Sequence, residues 1–174
     1  MQYFKVIDDK FVYTNTIDKQ FYHIKDRNKF GNDLDKIPIT KDFEYKFLKA
    51  IESDKKVIYW EYKPFRIKYQ KVDGFMDEYI PHYHVIFRDG DKLKINVFDI
   101  EEFDPIVIPL ITEDELYAMS DEEAGVYMNL VDEEQNIINK YSSAKKYCLE
   151  NGMDFFIIDS KGIKRFSNDL TKYN

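Results

Sequence analysis

The sequence predicts one α/β domain, a hairpin-rich sheet with helices packed on it, and three observations carry that reading. Apolar residues recur at helical spacing in 43–51 and again in 137–148. Between the two lie β-branched and aromatic runs broken by Asp73-Gly74 and Asp89-Gly90, and a short apolar run, MDFFII, closes the pattern at 153–158.

Taken in order, residues 3–24 alternate apolar and polar groups in YFKVIDDKFVYT and QFYHI, which predicts a small N-terminal β-hairpin or meander turning near Asp8-Asp9 and Asn15. Residues 25–36 are charged and contain Gly31 and Asn32, so they read as a solvated connector. Thr40 is placed to cap a helix whose stripe is Phe43, Phe47, Leu48 and Ile51 and which stops near Ser53-Asp54. Val57–Trp60, Phe65–Tyr69, Tyr79–Phe87 and Leu93–Ile100 read as strands joined by tight turns.

From Glu101 to Val131 the chain is acidic, contains Pro105 and Pro109, and reads as an insertion with one short helix near 112–119. Asp132 and Gln135 form a candidate capping box for a second helix reaching Asn151, with Ile137, Ile138, Tyr141, Ala144 and Cys148 as its stripe and Gly152 as its stop. MDFFII is then a buried strand, and Ser160-Lys161-Gly162 turns the chain away. The expected organisation is a β extension over 1–36, a core over 37–100 and 132–170, and an acidic insertion over 101–131.

Composition bounds the function. With 174 residues, 14 Tyr and 14 Phe, the chain has enough apolar material for a core that needs neither disulfide nor structural metal. Its 33 acids against 26 bases give a net charge of −7, which opposes tight nonspecific binding to phosphate backbones. The single cysteine, Cys148, excludes an intrachain disulfide and a thiolate zinc cluster. The opening Met1-Gln2-Tyr3-Phe4-Lys5 lacks the basic and apolar regions of a signal peptide, and no apolar stretch is long enough to cross a bilayer. The expectation is an unsecreted protein with no membrane partner, placed in a host cytoplasm or a virion.

Three segments, FEYKFLKAIESDKKVIYWEYKPFRIKY at 43–69, YIPHYHVIFRDG at 79–90 and NKYSSAKKYCLENGMDFFII at 139–158, follow one another in an informative order. A helix bearing a Glu, a strand with an aromatic-polar-Pro step, a hairpin with a PDF-like step, a helix and a final strand together resemble the TnsA-like endonucleases, in particular the head-completion nucleases of tailed phages, within the PD-(D/E)xK superfamily. The resemblance covers about two thirds of the chain and implies a restriction-endonuclease-like mixed β-sheet flanked by helices. It also implies a metal held by a helix Glu, a hairpin Asp, and a Glu or Gln two residues before a Lys, so that the last pair shares one strand face. In such a site carboxylates hold Mg²⁺, and the lysine assists electrostatically.

Carried over residue by residue, Glu44 matches the helix Glu, whereas His82 stands at the Asp of the PDF step, Asn96 at the acid and Phe98 at the lysine. Glu44 is either a relict ligand or a boundary carboxylate paired with a lysine. Glu44 and His82 are the candidate metal ligands, although imidazole suits Mg²⁺ poorly. His82 and His84 share a strand face and form either half of a Zn²⁺ or Mn²⁺ site or a packed, hydrogen-bonded pair. Lys94, on the face of Asn96 and Phe98, is a possible substitute lysine; Asp99 and Glu101 are expected to face away from Phe98. Trp60, Tyr59 and Tyr62 read as core or, alternatively, as stacking platforms for bases.

Phenylalanine supplies neither charge nor proton, so the expectation is a catalytically inactive nuclease-fold protein with no cofactor. The resemblance, with the Lys, Asn, Ile, Tyr and Asp bias of an A/T-rich genome, implies a tailed phage. There the chain would act in head completion or the neck, or as an accessory subunit, through contacts with other phage or complex proteins, any nucleic-acid contact being weak. Two alternatives stay open: an active Mg²⁺- or Mn²⁺-dependent DNA endonuclease using Glu44, His82 and Asn96, and an acidic inhibitor or immunity-type protein presenting Glu101-Glu102 and Asp121-Glu122-Glu123 to a basic enzyme.

Overall fold

A computed structural model describes residues 3–7, 10–14, 20–39, 41–101, 111–159 and 162–165, with backbone alone at 3–7, 10–14, 20 and 163–165. The architecture is α/β, a mixed sheet flanked by helices and preceded by an N-terminal hairpin of β1 (Tyr3–Ile7) and β2 (Lys10–Thr14).

The remaining elements are β3 (Gln20–His23), β4 (Lys36–Ile39), α1 (Asp42–Ser53), β5 (Val57–Tyr62), β6 (Ile67–Gln70), β7 (Met76–Tyr79), β8 (Tyr83–Asp89), β9 (Lys92–Ile100), α2 (Glu113–Ala118), α3 (Asp121–Glu150), β10 (Asp154–Asp159) and β11 (Gly162–Arg165). Five of the strands form the central sheet in the order β11-β10-β9-β8-β5. Neighbours are antiparallel except β9 and β10, which α3 joins in parallel, as a crossover helix allows.

Strand alternation sends successive side chains to opposite faces and so divides the core in two. Toward α1 and the β3–β4 pair go Trp60, Tyr83, Val85, Phe98, Ile100 and Ile158, meeting Leu48 and Ile51; toward α3 go Val97, Phe155 and Ile157, meeting Tyr141, Ala144 and Cys148. Register follows from this: Tyr83 lies opposite Phe98 and His84 opposite Val97.

Several expectations require correction. The helix expected to begin at Asp132 begins at Asp121, because the capping box is Ser120 with Glu123: the Glu123 N–H donates to Ser120 Oγ, and Glu123 Oε2 accepts from the Ser120 N–H. Residues 121–131, read as insertion, therefore belong to α3. The run 79–87 is two strands, and β6 and β7 form a separate ribbon, since Pro81 lacks the N–H a continuous strand would donate. Nor is 25–36 wholly solvated. Phe30 is buried against Trp60 at 4.4 Å between ring centroids, and the Trp60 backbone pairs with Lys29 and Gly31, closing the β5 edge. The N-cap of α1 is Lys41, which makes no side-chain cap bond, in place of the expected Thr40; Thr40 itself and the Ser160-Lys161 turn lie outside the described residues.

Buried Glu52, near the end of α1, fastens this segment. Its carboxylate accepts from the Lys25 and Asp26 N–H groups at 2.6 and 2.8 Å and from the Tyr22 hydroxyl, which offsets the unfavourable place of an acid at a helix C-terminus. At the far end of α3, Gly152 takes φ 70°, and the Met153 N–H returns to the Cys148 carbonyl at 2.8 Å, the glycine stop expected from the sequence. No described helix is long and apolar enough to cross a membrane.

Candidate functional site

The sheet carries two groups of polar side chains, one on each face. On the α1 face, Glu44 is 1% exposed, held there because it shares the helix side of Leu48 and Ile51. The Tyr83 hydroxyl donates to Glu44 Oε1 at 2.6 Å. Burial, and then the adjacent Glu44, push the Tyr83 phenol far above its ordinary pKa, so it remains a donor.

Asn96 and Phe98 occupy this face together, as strand periodicity predicts, since Asn96 lies opposite Val85 and Phe98 opposite Tyr83. Phe98 is 3% exposed, with ring centroids 5.0 Å from Phe47 and 5.4 Å from Phe156. The space beside Glu44 is thus walled by aromatic rings. Lys94 shares the strand parity but pairs with Asp89 at 2.7 Å at the hairpin end. That bond raises the Lys94 pKa and lowers that of Asp89. Four residues of strand, about 13 Å, separate Lys94 from Phe98.

His82 belongs to the opposite face. Its Nδ1 contacts Oδ1 of Asp99, a residue 1% exposed, and lies 3.2 Å from the Ile100 N–H. The Tyr141 hydroxyl of α3 donates to Asp99 Oδ2 at 2.9 Å and lies 3.0 Å from Glu101 Oε2. Lys140 Nζ stands 4.2 Å from the Tyr141 ring centroid and 3.8 Å from Glu101. Burial, followed by the charges of Asp99 and Glu101, drives the Tyr141 phenol far upward; burial and Asp99 do the same to Tyr79. The group forms a hydrogen-bonded chain from the turn before β8, through β9, to α3.

Glu44 and His82, paired in the sequence reading as candidate metal ligands, therefore lie on opposite faces of the sheet and do not converge. His82 and His84 do share a face, but each Nδ1 is taken by a different carboxylate. Asp99 on β9 holds His82, and Glu61 on β5 holds His84 at 3.1 Å. These strands flank β8 on opposite sides, so the two rings are drawn apart rather than toward one ion. Trp60 is fully buried, which removes it as a stacking platform; Tyr59 is turned inward to Glu61 at 2.8 Å.

The donor set does not fit Mg²⁺ or Mn²⁺, which ask for several hard oxygen ligands around one point. On the α1 face the buried Glu44 carboxyl accepts from the Tyr83 phenol, and among the described residues no group of three or more His, Cys, Asp or Glu side chains is placed to hold a metal. Asp99, Tyr141 and Glu61 are the polar partners that sequence reasoning left unassigned. Strand parity had put Asp99 on the face away from Phe98; that His82 and Tyr141 would meet it there depended on register and on the placement of α3. Comparison of the chain with family models, with curated proteins and with solved structures returns no match.

Proposed function

We propose that this chain is a catalytically inactive nuclease-fold protein of a tailed phage, acting through protein contacts in head completion, in the neck or as an accessory subunit of a larger complex. One observation carries the absence of turnover: Phe98, packed on Phe47 and Phe156, fills the place where the resemblance puts a lysine, beside a Glu44 bonded to Tyr83. Removing one preorganised transition-state donor costs about 10²–10³ in rate. Here the lysine, the strand acid and the hairpin Asp are all replaced.

The resemblance of the three segments at 43–69, 79–90 and 139–158 supports the phage setting. The decisive assay incubates the purified chain with supercoiled plasmid and Mg²⁺ or Mn²⁺. The expected result is intact plasmid. Nicking that Glu44→Gln abolishes, with the circular dichroism spectrum unchanged, would overturn the proposal in favour of an atypical endonuclease.

A further inference from the structure

We propose that the tip of the β6–β7 ribbon and the adjoining face of α3 form a docking surface for a partner protein whose contact region is apolar and flanked by Lys and Arg. This rests on the reading above, that the chain acts through protein contacts, and specifies the surface and the partner's chemistry.

The ribbon ends in Lys71-Val72-Asp73-Gly74-Phe75-Met76, and three of these side chains are large, apolar and exposed: Val72 at 44%, Phe75 at 74% and Met76 at 61%. The tip is held in shape. The Lys71 N–H donates to the Phe75 carbonyl at 2.9 Å, the Phe75 N–H to Asp73 Oδ1 at 3.0 Å, and Gly74 supplies the positive φ of 85° that the turn requires. A rigid apolar projection avoids part of the ordering cost of binding, and aromatic and Met side chains are enriched at interface centres.

Helix α3 fixes what lies beside it. Asn139 Nδ2 donates to the Gln70 carbonyl at 3.1 Å, and Asn136 Oδ1 accepts from the Val72 N–H at 2.8 Å. Tracing α3 toward its N-terminus therefore follows the ribbon toward its tip. Asp132 comes one turn further, about 6 Å along the axis, beside the turn. Met128, 47% exposed, follows on the same face at helical spacing. Val72, Phe75 and Met76 at the ribbon tip and Met128 on α3 are thus the large exposed apolar side chains at this end, with the acids of α3 beside them.

Charge selects the occupant. Residues 121–139 of α3 hold six Asp and Glu and no Lys or Arg. An acidic border attracts a Lys- and Arg-bearing protein and repels both nucleic acid and an anionic bilayer.

The test uses the full chain and a fluorescent amphipathic peptide of Leu and Lys as probe, with a Leu and Glu peptide and polylysine as comparisons. Expected are binding of the Leu and Lys peptide that weakens with added salt, and a loss of about tenfold or more in the Phe75→Ser/Met76→Ser chain. These exposed positions leave the fold intact, as an unchanged melting temperature would verify. Four results would overturn the proposal: equal binding of the doubly substituted chain, equal binding of polylysine or of the Leu and Glu peptide, binding to phosphatidylserine vesicles that Phe75→Ser removes, or self-association of the chain that Phe75→Ser removes. Plasmid nicking would defeat the non-catalytic reading while leaving peptide binding untouched, so the two failures are distinguishable.

Discussion

Tyr83 and Glu44 meet in the buried layer between β8 and α1, the phenol donating to the carboxyl oxygen at 2.6 Å. Tyr83→Phe keeps the ring and removes the donor. A buried acceptor deprived of a partner costs about 1–3 kcal/mol, so urea unfolding should show that loss of stability as a lower midpoint with an unchanged slope. No change in stability would mean that Glu44 is held without Tyr83.

Phe98 is a packing residue at the position where the resemblance puts a lysine. Phe98→Ala should cost about 3–5 kcal/mol, the range for emptying a buried aromatic site. Phe98→Lys should destabilise the fold as well, because an ammonium group there would be buried among Phe47 and Phe156. A Phe98→Lys chain as stable as the parent in thermal unfolding would contradict the packing described.

Asp99 joins His82 and Tyr141, so substitutions at these sites should not add. A double-mutant cycle with Asp99→Asn and Tyr141→Phe should give a coupling energy of about 0.5–3 kcal/mol, while Asp99→Asn combined with the distant Lys94→Ala should be additive. Additivity in the first pair would mean that the 2.9 Å contact contributes nothing to stability.

Alkaline pH should unfold the protein. Burial is the leading cause that raises the phenols of Tyr22, Tyr79, Tyr83 and Tyr141 far above the usual 10.0, and it takes Tyr59 to about 12. Between these values and 10 the unfolded chain loses phenolic protons that the folded chain retains. The stabilisation is therefore complete below pH 10 and is lost as pH rises through the folded values. The melting temperature should fall steeply above pH 10, and the absorbance of ionised tyrosine should rise together with unfolding. Free ionisation of every tyrosine near 10 in the folded protein would refute this.

Gly31 sits under the Tyr59 ring: a Cβ there would lie 2.0 Å from the Tyr59 hydroxyl oxygen, which is itself bonded to Glu61. Gly31→Ala must displace that phenol, and about 1–3 kcal/mol of overpacking cost is expected. That Cβ would also lie 2.4 Å from the Tyr59 Cζ, so relief in a Gly31→Ala/Tyr59→Ala chain relative to Tyr59→Ala alone, read by thermal unfolding, would locate the clash at the ring.

Local chemistry made much of the fold legible. Helix α1 followed from the spacing of Phe43, Phe47, Leu48 and Ile51, the turns from Asp73-Gly74 and Asp89-Gly90, and the end of α3 from Gly152. The start of α3 went astray because two sequences offer the same capping chemistry. Asp132 with Gln135 and Ser120 with Glu123 compete, and the longer helix places more residues in the favoured conformation. Pairing of β3 with β4, and of Phe30 with Trp60, joins residues distant in sequence, so no local pattern announces either.

By itself the amino-acid order determined, through the period of two along β9, that Asn96 and Phe98 share a face while Asp99 takes the other. Only tertiary structure decided what each face meets. Hydrogen-bond register and the packing of α1 and α3 on opposite sides of the sheet set Glu44 beside Tyr83 and His82 beside Asp99, because partners brought together by long-range contacts leave no periodic trace along the chain.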